Sequence, residues 1–198
     1  MLVSDSKTAF QYSSPFWKRH WFSARLPTKN SYRSKLRKIK LLLLDVDGVL
    51  TDGGIYYSAS GEELKKFNTQ DGYGIVKLQR AGIRVGIITG KVSTIVARRA
   101  TELGIEDVYQ NLDDKLSVYG QIKAKLNLED AHVAYIGDDE FDLPVLERVG
   151  FSAAPADAVE AVRRRVHYTC RRSGGAGAVR EVIDLLMNSQ RKRAGDGK

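Results

Sequence analysis

The chain has 198 residues, 42% hydrophobic and 28% charged, a balance that allows one globular domain with loose ends and excludes wholesale disorder and fibrous architectures. Its formal net charge of +8 sits in the flanks: residues 1–40 and 188–198 hold 14 Lys and Arg against two acids, whereas residues 41–187 hold 18 against 22. The single cysteine, Cys170, excludes an internal disulfide, and no Cys/His group has zinc-ligand spacing, so a reducing, cytoplasmic setting is expected.

Residues 1–36 form a basic extension, expected to be flexible. Its aromatic and basic run at 16–22 could stack on nucleic acid or lie on an anionic membrane, but a solvated or subunit-packing arm is favoured, so nucleic acid is not an expected partner. The acid-poor, Ser-rich leader fits an organellar transit peptide loosely. The longest apolar run, 41–44, is far short of a membrane span, so no membrane partner is expected. From residue 37 to 187 short apolar runs alternate with amphipathic stretches, the pattern of strands and helices wound into a three-layer, Rossmann-like α/β fold with a mostly parallel sheet. Strands are predicted at 39–44, 83–88, 108–110, 132–136, 151–153 and 166–169, and helices at 73–80, 92–103, 115–126, 143–149, 159–164 and 179–187. The segment 54–68 breaks the rhythm and predicts a projecting β-hairpin. Residues 188–198 are polar and expected to be disordered.

In such a sheet the loops after the strand carboxyl ends meet at one edge. There the sequence puts DVDGVLTDG at 45–53, TGK at 89–91, DDK at 113–115 and GDDEFD at 137–142. Carboxylates gathered at one edge repel each other unless a cation joins them, and an all-oxygen donor set favours magnesium. A phosphoryl group is the natural substrate of such a site. Asp45 is the candidate nucleophile, and Asp47 is placed to protonate the leaving oxygen and then deprotonate the attacking water. Thr89 and Lys115 would hold phosphoryl oxygens. Asp45, Asp47 and Asp138 are the expected metal ligands, with Asp139 and Asp142 orienting them.

These four motifs, in this order, resemble those of the haloacid dehalogenase superfamily. The further runs GGIYYSASGEELKKFNTQDGYGI and GGAGAVREVIDLL resemble the 3-deoxy-D-manno-octulosonate 8-phosphate phosphatases across about residues 36–187. The resemblance implies hydrolysis of that sugar phosphate in lipopolysaccharide precursor synthesis, with Mg2+ as cofactor and an aspartyl-phosphate intermediate. It also implies no separate cap domain, and a homotetramer in which the hairpin and C-terminal segment of one subunit close a neighbour's site. By position, the substrate contacts it implies are Asp47, Asn68, Thr69, Gln70, Asp71, Gly72, Lys91, Arg99 and Lys115. Lys91 stands where that family usually has arginine, Gln70 and Val76 where some members do, and Ala176 replaces the arginine of a GGRGAVRE run.

Two other classes compete with the enzyme: a noncatalytic regulatory domain, and a nucleic-acid-binding protein that uses the basic flanks with the domain as scaffold. A receiver-like regulatory domain also gathers aspartates, a threonine and a lysine, but carries its phosphorylated aspartate after a middle strand of the chain. A related nine-carbon 2-keto sugar acid phosphate is the alternative substrate. Cys170, His132 and His167 read as structural, and the glycines at 174, 175 and 177 fit either a phosphate cradle or a sharp turn.

Overall fold

The computed structural model describes residues 32–59 and 63–195. The elements run α1 (Arg33–Leu36), β1 (Leu41–Leu44), β2 (Tyr56–Tyr57), β3 (Glu63–Leu64), α2 (Thr69–Arg80), β4 (Arg84–Ile88), α3 (Thr94–Glu102), β5 (Asp107–Tyr109), α4 (Lys115–Leu126), β6 (Val133–Ile136), α5 (Leu143–Leu146), β7 (Phe151–Ala154), α6 (Glu160–Arg163), β8 (Tyr168–Thr169) and α7 (Ala178–Gly195). Six strands pair in the order β5-β4-β1-β6-β7-β8, every pair parallel.

The four leucines of β1 are all fully buried, as a central parallel strand covered on both faces requires. Strand periodicity splits them between two cores. Leu42 and Leu44 pack with Ile75 and Leu78 of α2, Val96 of α3, and Val179, Val182 and Ile183 of α7. Leu41 and Leu43 pack with Tyr119 and Ile122 of α4, Val145 of α5 and Val162 of α6. Each fully buried leucine contributes about 1.5–3 kcal/mol, so this strand anchors all three layers. The chain leaves β1 for β4 and β5, then crosses back through α4 to β6 on the other side. That reversal opens a crevice past the carboxyl ends of β1 and β6, where the motifs lie.

The expected hairpin is present: β2 and β3 pair antiparallel, Tyr56 with Leu64 and Tyr57 with Glu63, while its tip, 60–62, lies outside the described residues. Helix α4 has the predicted bounds because Asp114 caps it, accepting from the Leu116 and Ser117 amides, and Asn127 stops it in the left-handed region at φ 50°. Helix α2 begins four residues before the predicted start. Asn68 caps it by accepting from the Gln70 amide at 2.7 Å, turning the polar 69–72 segment into its first turn.

Two boundaries are corrected. Helix α7 runs to Gly195, through residues expected to be disordered; polar Gln, Arg and Lys are good helix formers, and no proline or glycine interrupts them before that point. At the other end Tyr32, assigned from sequence to the extension, is buried against Phe151 and Tyr168, with ring centroids 5.8 and 6.0 Å away. The rest of the extension, residues 1–31, and the last three residues of the tail lie outside the described residues. Among the described residues no helix is long and apolar enough to cross a membrane.

Candidate active site

Strand β1 delivers Asp45 to the crevice, and a tight loop follows in which the Leu50 and Thr51 amides both donate to the Val46 carbonyl, at 2.9 and 3.0 Å. This loop rests on Asp138. Gly48 has φ +79°, and a Cβ there would stand 2.0 Å from Asp138 Oδ2, so the approach requires glycine. Strand β6 leads through Gly137 to Asp138. Asp142, fully buried, is the hub of the edge: its Oδ2 accepts from the amides of Asp138 (2.8 Å) and Asp139 (3.2 Å). Its Oδ1 accepts from Lys115 Nζ at 2.7 Å and from the Tyr135 hydroxyl. Lys115 opens α4 and is buried with its ammonium 2.9 Å from Asp45 Oδ1, 3.4 Å from Tyr135 Oη and 5.1 Å above the Phe141 ring.

Asp45, Asp138 and Asp142 bring carboxylate oxygens within 4.8 Å of one another. Burial, reinforced by Asp142, pushes Asp45 up to about 6 against the pull of Lys115. Burial and then the charges of Asp45, Asp142 and Asp139 push Asp138 up to about 8. Burial alone would lower Lys115, but Asp45 and Asp142 outweigh it and hold the ammonium above the ordinary lysine value. Asp138 Oδ1 is buried without a hydrogen-bond partner, whereas the buried Oδ1 of Asp45 has the Lys115 ammonium 2.9 Å away. An unsatisfied buried oxygen of Asp138 within 4.8 Å of two further carboxylates makes a fitting seat for a hard divalent cation.

Asp47, also expected as a ligand, is turned differently. Its Oδ1 accepts from Lys65 Nζ at 2.6 Å and from Thr51 Oγ1 at 3.5 Å, and its Oδ2 lies 3.8 Å from Lys91 Nζ. Thr89, buried, closes β4 at the same edge. The remaining expected residues form a second cluster. Asn68 caps α2 and reaches the Gly175 carbonyl at 3.5 Å, while Thr69 and Gln70 are exposed. Asp71 is buried and accepts from the amides of Gly177 (3.3 Å) and Arg180 (2.7 Å), tying α2 to the start of α7. Gly72 leaves room for Arg99, whose Nη2 would be 2.4 Å from a Cβ there. The Arg99 guanidinium lies 5.8 Å from the Phe67 ring centre, donates to Glu102 at 3.2 Å, and has a buried Nε without a partner.

Loop 173–177 joins the two clusters, and the ambiguity of its glycines is resolved. The Gly174 amide donates to Asp157 at 2.9 Å, that of Gly175 to the Val49 carbonyl at 3.0 Å and that of Gly177 to Asp71, so the run is a close-packed turn with its amides already used. His132 and His167 bond within their own neighbourhoods, to the Glu129 amide and to Ser152, and Cys170 is buried, which pushes its thiol well up. Sequence reasoning missed Tyr135 and Lys65. A tyrosine inside an apolar strand carries no signal beyond core. Lys65, just past β3, was legible in principle from the alternation along the hairpin arm, but the hairpin's apolar side faces out, which inverts the usual rule.

A parallel sheet with Asp45 and Asp138 on either side of its switch point, and a buried lysine between Asp45 and Asp142, fits the haloacid dehalogenase-like hydrolases, and the family model of that description matches residues 74–150. The 3-deoxy-D-manno-octulosonate 8-phosphate phosphatase KdsC of Escherichia coli (strain B / BL21-DE3) is 47% identical over 166 residues, 84% of this chain and 88% of that one. Among solved structures, the phosphatase of the same name from Yersinia pestis superposes with TM-score 0.81 at 46% identity, covering 84% of this chain and 90% of that one. The Moraxella catarrhalis enzyme, solved in complex with magnesium ion, phosphate ion and KDO molecule, gives TM-score 0.81 at 43% identity over 83% and 94%. The chain belongs to the 3-deoxy-D-manno-octulosonate 8-phosphate phosphatase family.

Proposed function

We infer that this protein is a magnesium-dependent phosphomonoesterase that hydrolyses 3-deoxy-D-manno-octulosonate 8-phosphate to 3-deoxy-D-manno-octulosonate and phosphate, in lipopolysaccharide precursor synthesis. The observation that carries this is the buried cluster of Asp45, Asp138 and Asp142 around Lys115, in a chain 47% identical to a phosphatase of that substrate. Asp45 and Asp138 would hold magnesium through their clustered carboxylates, and the bound ion supplies positive charge for the phosphoryl oxygens.

Asp45 attacks phosphorus: the Asp45 O–P bond forms, the ester P–O bond breaks, and Asp47 gives its proton to the departing sugar oxygen. Asp47 then takes a proton from water, whose oxygen bonds to phosphorus as the Asp45 O–P bond breaks and phosphate leaves. Thr89 and Lys115 bind phosphoryl oxygens throughout. The sugar acid is assigned to Lys91, Arg99 and the exposed Thr69 and Gln70, since Asp71 and Gly72 are buried and Asn68 caps α2. Three further arginines stand beside Gln70, around a cavity of about 520 Å³ lined also by Arg171, Arg172 and Arg180. Arg171 and Arg180 are already paired there with Glu181 and Asp184, so they do not replace the arginines absent at 70 and 176.

A homotetramer in the cytoplasm is the assembly and setting we assign. The hairpin and its surroundings support the oligomer, because Ile55, Tyr56, Tyr57 and Leu64 are exposed on one projecting element. A fully active monomer on a sizing column would contradict it.

Phosphate release from the eight-carbon substrate is expected to stop with EDTA and return with Mg2+, and to exceed release from the nine-carbon analogue. Release that persists in EDTA overturns the mechanism, and faster turnover of the nine-carbon ester reassigns the sugar. The raised values of Asp45 and Asp138 set the pH dependence. Without metal the fold holds protons that the unfolded chain has released, so its stability falls as pH rises from about 4 towards 8. Cation binding needs these groups ionised and strengthens over the same window. At one fixed concentration, roughly 100 times its Kd at pH 8, Mg2+ is expected to raise Tm by about 5–10 °C at pH 8 and by much less at pH 5.

A further inference from the structure

The hairpin is built the wrong way round for a solvent-exposed element. Leu64 and Lys66 point outward, with Leu64 66% exposed and the Lys66 side chain 65% exposed, whereas the side chain of Lys65 between them is only 2% exposed. Phe67, next on the inward side, packs on the core, and its backbone bridges antiparallel to Thr51. That bridge lays the returning arm alongside the loop that carries Asp47. Burying an ammonium is costly unless a carboxylate meets it, and Lys65 meets Asp47 Oδ1 at 2.6 Å. With Oδ1 engaged by Lys65 and Thr51, Oδ2 is the oxygen turned towards Lys91, whose side chain is 57% exposed at the rim.

We propose that Lys65 is a positioning residue for the acid–base step: it clamps the inner oxygen of Asp47 so that the outer oxygen faces the ester oxygen of the substrate. The proposal rests on the assignment of Asp47 given above. It makes the hairpin part of the catalytic apparatus of its own chain, through a residue that touches neither the phosphoryl group nor the metal seat.

The test compares kcat/KM for two phosphate esters, since this ratio reports the steps up to the first departure of the leaving group. A sugar alkoxide needs a proton to leave and p-nitrophenolate does not, so damage to proton transfer separates the two. Lys65→Ala is expected to lower kcat/KM for 3-deoxy-D-manno-octulosonate 8-phosphate by about 100-fold and that for p-nitrophenyl phosphate by less than about 5-fold, the same pattern as Asp47→Asn. Lys65→Arg, which keeps a donor, is expected to recover most of the loss. Lys65→Met, which keeps the buried stem, serves if the alanine variant does not fold, with the Mg2+-induced rise in Tm as the check on the metal seat. Equal losses on both esters, or no loss on either, overturn the role of Lys65 while leaving the phosphatase assignment standing. A wild-type protein inert towards every ester overturns that assignment, and this proposal with it.

Discussion

Asp45→Asn is expected to abolish phosphate release, by about 10⁴-fold or more, because the covalent intermediate has no other oxygen on which to form. Neighbouring carboxylates are not expected to substitute: Asp138 is the residue we assign to the metal seat, and Asp142 has both oxygens occupied by Lys115, Tyr135 and two backbone amides. The same substitution is expected to leave the fold intact. Asp45 is raised to about 6 by burial and by Asp142, so its ionised form is disfavoured in the metal-free protein. A neutral amide of the same shape removes that cost, and the metal-free variant should melt no lower than wild type above pH 6. Near-normal turnover would reject Asp45 as nucleophile, and a collapse of Tm would show that its charge is needed to build the edge.

Lys115→Met is expected to damage both stability and activity. The ammonium stands between Asp45 and Asp142, at 2.9 and 2.7 Å, with almost no solvent access. Removing one member of a buried ion network leaves uncompensated charge, at a cost of about 3–5 kcal/mol, or roughly 10 °C in Tm for a chain of this size. The loss has a pH signature. Without the cation, the carboxylates take up protons more readily in the fold than in the unfolded chain, so the destabilisation is smallest near pH 5 and grows towards pH 8. Turnover should fall by about 10²–10³-fold through the missing charge at the phosphoryl oxygens. Thermal melts of the metal-free variant at pH 5 and 8, with phosphate release in saturating Mg2+, separate the two effects. A loss of stability that does not vary with pH would place the role of Lys115 in packing alone.

Much of this molecule was legible before any coordinates. Four consecutive leucines flanked by charge could be little other than a strand buried on both faces, and the helix expected at 115–126 has the bounds of α4. Boundaries failed where the deciding interaction was a polar cap or a continued polar helix, as at Asn68 and beyond Met187, because hydrophobic periodicity is silent in both places.

The types and order of the candidate residues at this edge were legible from sequence alone, since carboxylates and a lysine stand just past successive strand ends, and chain order determines which strand each one follows. Only the tertiary structure decided how their charges are shared. It turned Asp47 to Lys65 and Lys91, put Asp142 rather than Asp47 in the close carboxylate group, and used Asp71 to tie α2 to α7. Those choices depend on contacts between segments 18 to 109 residues apart, whose energies come from burial and pairing in three dimensions, which no local pattern of residues encodes.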